Sequence, residues 1–155
     1  MIRFLKLFSL VLAMAFALSS CTVVEEPNKS TRTLARHETV AEFQGTKYHR
    51  CLGMTSLCPD KCGASGTIAV FKIINYLDYN KFGEYGDPKS EQFVFLIEDN
   101  MKNLKVPVNI RDTVNSLKEG DIVHLSWDHN YVTTDGGSGP ERPITKLEKS
   151  SSPQK

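Results

Sequence analysis

Residues 67–79, TIAVFKIINYLDY, decide how the chain folds. Read as a strand, the run places Ala69, Phe71, Ile73 and Leu77 on one face, while Ile68, Val70, Ile74 and Tyr76 make the other face apolar as well. A strand this long and apolar on both sides is expected to bend through a β-bulge and to serve two parts of a curved sheet.

Working outward, Thr39 to Tyr48 alternates as an earlier strand, with Ala41, Phe43 and Gly45 on one face. A loop rich in cysteine and glycine joins the two. Downstream, Asn80 to Glu91 carries Gly83, Gly86, Asp87 and Pro88, which is loop chemistry. Gln92 to Asp99 then reads as a third strand. Ile110, Val114 and Leu117 fall at helical spacing, with Asn109 placed to cap the start, Asp112 in the first turn and Gly120 as a stop. Asp121 to Val132 returns to strand, with Val123, Leu125 and Trp127 inward and His124 outward. Arg142 to Glu148 makes a weaker last strand after the turn-rich Asp135 to Pro140. This order resembles the OB-fold. The resemblance implies a mainly β domain over 39–148, a small five-stranded OB-like Greek-key barrel with one short helix between strands 3 and 4. Function does not follow from such a scaffold, because sites are grafted onto it.

The first 20 residues are of another kind. Arg3 and Lys6 precede the apolar run Leu7 to Leu18, too short for a bilayer span, which is the charged and apolar layout of a secretory signal peptide. Leu18-Ser19-Ser20-Cys21 resembles the lipobox of bacterial lipoproteins. The resemblance implies diacylglycerol on the sulfur of Cys21, cleavage before it, and acylation of the new amino terminus. More than one acyl chain anchors a protein stably. Residues 21–38 then read as the lipidated N-terminus and a flexible tether, with an r.m.s. reach of about 20 to 25 Å, and 149–155 as a disordered tail. In a host with two membranes, Thr22 after the cysteine matches the class sorted to the outer membrane, facing the periplasm.

Removing 20 of the 155 residues leaves 135, enough for one domain with a modest core. The leader takes two of the 19 Lys and Arg, so 17 basic residues face 18 acidic ones. That balance gives no basic stripe for nucleic acid, and no nucleic-acid partner is expected. The partners expected are the membrane, through the anchor, and a protein, glycan or small-molecule ligand.

With Cys21 given to lipid, Cys51, Cys58 and Cys62 remain in one loop. Export places them where nearby cysteines become disulfides, yet three cannot pair completely. One disulfide with a leftover thiol is the first expectation. A metal site is the second: three thiolates and the imidazole of His49 would make a Cys3His set for zinc, and Met54 would add a soft ligand for cuprous copper. Inert thiols are the third.

Other signals are weaker. Gly63-Ala64-Ser65-Gly66 lacks the spacing of a serine nucleophile turn. His129, in Asp128-His129-Asn130, reads as a surface group at a bend, and Gly136 to Gly139 as a hairpin loop. Trp127, Phe71, Phe93 and Phe95 read as core rather than as a stacking platform, whereas of Tyr48, Tyr76, Tyr79, Tyr85 and Tyr131 several are expected near one edge of the barrel. No nucleophile, base and orienting group can be named together, so no enzyme is indicated. The function expected is a lipid-anchored, non-enzymatic binding or interaction module of the cell envelope. The alternative is a metal-handling or thiol-redox protein built on Cys51, Cys58 and Cys62.

Overall fold

The computed structural model describes residues 29–53 and 55–150. The leader, Cys21, Met54 and 151–155 lie outside the described residues. The elements are β1 (Ser30–His49), β2 (Gly66–Lys81), β3 (Gln92–Asp99), α1 (Val108–Ser116), β4 (Ile122–Thr134), β5 (Gly137–Glu141) and β6 (Ile144–Lys149). Every pairing is antiparallel, in the order β3-β2-β1-β4-β5, with β6 also on β4. No helix among the described residues is long and apolar enough to cross a membrane.

The domain is mainly β with one short helix before β4, but it is not a closed five-stranded barrel. It is an open six-stranded sheet. The added strand is β5, where the glycine-rich stretch expected to be loop pairs Gly137 to Glu141 with Asn130 to Thr134. The gap lies between β3 and β6, as an apolar groove of about 350 Å³ lined in part by Phe93, Val106, Pro107, Pro143 and Ile144. Two prolines stand in that gap, and a residue without an N–H cannot donate to the ladder that would close it.

The sheet nevertheless curls strongly. Phe93 of β3 and Trp127 of β4 are three strand spacings apart in the order, roughly 14 Å in a flat sheet, yet their rings stack at 4.0 Å. Bulges produce the curl. The β1–β2 register slips at Glu38/Thr39 and Val40/Ala41, leaving Leu77 and Ile74 as the extra residues on β2. Each slip reverses the inward parity of the residues beyond it. The residues of β2 that face the core and its aromatic extension are Ala69, Phe71, Ile73, Tyr76 and Tyr79, while Ile74 and Leu77 are 53% and 47% exposed. The expected bend is present, and the expected inward place of Leu77 is taken by tyrosines. A third irregularity, at Phe43/Thr46, contains Gly45 at φ +93°, a conformation that glycine adopts without a Cβ penalty.

Two boundaries also move. β1 begins at Ser30, so 30–38 of the segment expected to be tether is strand; its backbone is paired with β4 from Ser30↔Thr133 onward, and Leu34, Ala35 and His37 are buried. Pro107 rather than Asn109 stands at the start of α1, whose Ile110 and Val114 enter the core with Leu117 behind them. The core joins Ala41, Phe43, Phe71, Phe93, Phe95, Val123, Leu125, Trp127 and Leu147 beneath that helix.

Candidate functional site

The cysteines sit in the connection from β1 to β2, residues 50–65, and the fold draws all three together. One sulfur from each of Cys51, Cys58 and Cys62 lies within 4.8 Å of the others, and Cys51 Sγ is 2.9 Å from Cys58 Sγ. No disulfide joins them among the described residues. Cys51 is buried, and the other two are half-buried.

Local hydrogen bonds set this geometry. The Cys51 N–H donates to Ser65 Oγ at 3.0 Å, and that hydroxyl donates to the Pro59 carbonyl at 2.7 Å, tying both ends of the loop to its middle. Within the loop, Cys58 N–H reaches Thr55 O at 3.1 Å and Lys61 N–H reaches Leu57 O at 2.8 Å, a helical turn that carries Cys58 and Cys62 on one side. The turn after β3 clamps the loop from outside: Asn100 donates its backbone N–H to Ser65 O at 2.9 Å and its side-chain amide to Asp60 O. That turn is itself fixed by Asp99, fully buried, which accepts from the Met101 and Asn103 N–H groups and pairs with Lys105 at 2.8 Å. The Lys105 ammonium holds the Asp99 carboxyl far below the usual carboxylate range, with the backbone N–H groups adding to it.

The Cys51 thiol also acts on its neighbour. Its hydrogen bond lowers the Cys58 thiol to about 6, against the opposing effect of burial and with help from the Thr55 backbone. His49, at the exposed end of β1, is not part of the sulfur group. Three sulfurs without the imidazole still suit a thiophilic ion. A tetrahedral zinc site with Zn–S of about 2.3 Å requires S···S of about 3.8 Å, so the Cys51 and Cys58 sulfurs, 2.9 Å apart, would have to part to admit the ion.

A second constellation lies at the far end of the β1–β2 hairpin, and sequence reasoning did not find it. Inward alternation of β4 runs on past Trp127 to His129, which is 5% exposed rather than a surface group. His37, just before the first register slip in β1, is 3% exposed and stacks on Trp127 at 4.4 Å and 7°. Tyr79 and Tyr76 close over it at 5.1 and 6.1 Å. Trp127 is covered by Phe93 on one side and His37 on the other, which excludes a stacking platform on its faces. Above them Arg142 grips Asp87 through two hydrogen bonds of 2.6 and 2.9 Å, and the Asp87 N–H donates to His129 Nδ1 at 3.0 Å. The Arg142 guanidinium lowers the Asp87 carboxyl, and burial lowers both imidazoles. A signal for this cluster was available in the phase of the strands: 123, 125, 127 and 129 are in register on β4, as are 37, 39, 41 and 43 on β1.

The chain matches no protein-family model, no curated protein and no solved structure.

Proposed function

We propose that this chain is a lipid-anchored, non-enzymatic binding module of the bacterial cell envelope, and that its cysteine loop binds a thiophilic metal ion, zinc or cuprous copper. The observation that carries the reading is the convergence of three cysteine sulfurs within 4.8 Å. Thiolates select such ions over the harder cations that prefer oxygen. The anchor rests on the lipobox-like Leu18-Ser19-Ser20-Cys21, and Thr22 supports the outer membrane, with the domain facing the periplasm. The element order supports an OB-like scaffold opened between its third and last strands, in which the first interstrand loop is a customary binding loop.

One distance favours a second reading. Cys51 and Cys58, with sulfurs 2.9 Å apart, are placed to exchange with a disulfide of the exported compartment. The two thiols give up two electrons and two protons, and the oxidant disulfide becomes two thiols. Cys62 then remains as a thiol. Membrane-extracted protein, purified anaerobically without added reductant, separates the readings. One metal equivalent per chain, lost in Cys58→Ser, is the expected result; a metal-free chain with one disulfide and one thiol would overturn it in favour of the bridge. The anchor is checked separately by intact mass: Cys21→Ser should lose the acyl mass and leave the membrane fraction.

A further inference from the structure

The segment between β2 and β3 is pinned at Asp87 and Ser90 by four side chains from three parts of the fold. Asp87 is held by Arg142 from the connection before β6, by His129 of β4, and by Tyr79 of β2, whose hydroxyl donates to its carbonyl at 3.0 Å. Ser90 is held twice by Tyr76, which donates to its carbonyl at 3.0 Å and accepts from its N–H at 2.8 Å. The Lys89 ammonium lies 5.1 and 5.4 Å from the two tyrosine rings. Under the segment is a cavity of about 370 Å³, whose walls include His37, Pro88, Phe93, Trp127 and Arg142.

Two imidazoles below this roof cannot be protonated without cost. Both nitrogens of His37 are shielded from solvent and have no hydrogen-bond partner among the described residues. A proton there would add a buried charge and a second unsatisfied donor, whereas an unpaired neutral group already costs about 1 to 3 kcal/mol. His129 accepts the Asp87 N–H at Nδ1. A proton on that nitrogen turns the acceptor into a donor: the Asp87 N–H loses its partner, and the new N–H can turn only to the Asp87 carboxylate 3.2 Å away, where it competes with Arg142.

We propose that residues 82–91 form an acid-opened lid: protonation of His129 frees the Asp87 amide, and protonation of His37 drives that ring from beneath Tyr76 and Tyr79, which let go of Ser90 and Asp87 and uncover the apolar floor made by Phe93 and Trp127. The charged groups that face the pair oppose one another. Asp87, 3.2 Å from His129 Nδ1, and Asp128 favour the proton; Arg142 and the mutual repulsion of the two histidines disfavour it. Burial raises the Tyr76 hydroxyl, which stays neutral, and Lys89 adds positive charge above the tyrosines. Burial is the largest influence on each histidine and lowers both. The closed form therefore binds fewer protons than the open one below the ordinary histidine value of about 6.5, and each histidine contributes up to about tenfold in the opening equilibrium per pH unit.

The chain has one tryptophan, so its emission reports the His37 stack directly. Full-length protein in detergent micelles is followed from pH 7.5 to 5 by Trp127 fluorescence, far-UV circular dichroism and amide hydrogen exchange corrected for intrinsic rates. The protection factors of the Asp87 and Ser90 amides are expected to fall at least tenfold, in step with a change in Trp127 emission, while the β-sheet signal and the core amides of β1 and β4 hold. His37→Phe keeps the stack and His129→Gln keeps an acceptor; each should remove about one tenfold step per pH unit. Flat protection factors at Asp87 and Ser90 in the unmodified chain would overturn the proposal, as would loss of all amides together. Slopes unchanged in both variants would do the same, and if His37→Phe fails to fold, His129→Gln and the unmodified chain still decide.

Discussion

The two loops that flank β2 are built in opposite ways. The cysteine loop, residues 50–65, is held largely by its own neighbours: Ser65 ties Cys51 to Pro59, and a single outside turn at Asn100 completes the clamp. The lid, residues 82–91, supplies little of its own fastening. It is held by Tyr76, Tyr79, His129 and Arg142, and it covers His37 and Trp127. A locally held loop can keep its geometry while the rest of the domain adjusts, whereas a lid held at a distance registers any change in the sheet that carries its pins. The first arrangement suits a preorganised ligand set, and the second suits a switch.

The strongest way to break this contrast is to remove the lid's foundation. Trp127→Ala deletes a side chain that is 2% exposed and stacked on both sides, for which truncation costs about 3 to 5 kcal/mol. Urea unfolding should show that loss in full. If the loops are independent, the folded fraction keeps the same thiol reactivity at Cys58; a matching change there would mean that the cysteine loop also depends on the distant core.

Acid comes next. His37 and His129 both lie below their unfolded values because of burial. The stability they confer is therefore complete above about pH 6.5 and declines as pH falls through it, by up to about 1.4 kcal/mol per unit for each histidine. Chemical denaturation at pH 7.5, 6.5 and 5.5 measures the slope. His37→Phe should flatten it, and Cys58→Ser should leave it unchanged.

Ser65→Ala should have a smaller and strictly local effect. It leaves the Cys51 N–H and the Pro59 carbonyl without their shared hydroxyl, at about 1 to 2 kcal/mol. Metal affinity, read by competition with a chelating dye, should fall roughly tenfold, while the pH dependence of Trp127 emission stays as it was, as expected for distant sites that share no partners. A shifted emission profile would join the two loops into one unit.

The difference in construction also explains what could be read from the sequence. Three cysteines within twelve residues announce themselves by type, and the loop's local hydrogen bonds mean that proximity in sequence becomes proximity in space. The lid cluster draws on positions 37, 76, 79, 87, 129 and 142, brought together only by register. Two bulges on β2 change the inward series from every second residue to 73, 76 and 79, and strict alternation assigns Leu77 the place that the tyrosines occupy. Starting β1 at Thr39 hides His37 in an expected tether, and a turn reading of Asp128-His129-Asn130 stops the β4 series one residue early. The missing closure has the same origin: prolines 107 and 143 are visible in the sequence, but that both face the β3–β6 gap is a property of the curl.

The finest test of the contrast is Lys89. Its ammonium lies over Tyr76 and Tyr79 at 5.1 and 5.4 Å, and burial raises the Tyr76 hydroxyl. At an exposed position such a cation–π contact contributes about 0.5 to 1 kcal/mol. Lys89→Met keeps a long apolar stem and deletes the charge, so it should lower global stability by no more than that amount. Its effect on the lid has the same sign, because the cation–π contact fastens the closed form: losing it makes opening easier and should move the Trp127 transition to a higher pH. A shift to lower pH would show that Lys89 acts instead as a charge that keeps a proton off His37 in the closed lid, since without that charge the closed form binds the proton more readily and acid drives opening less.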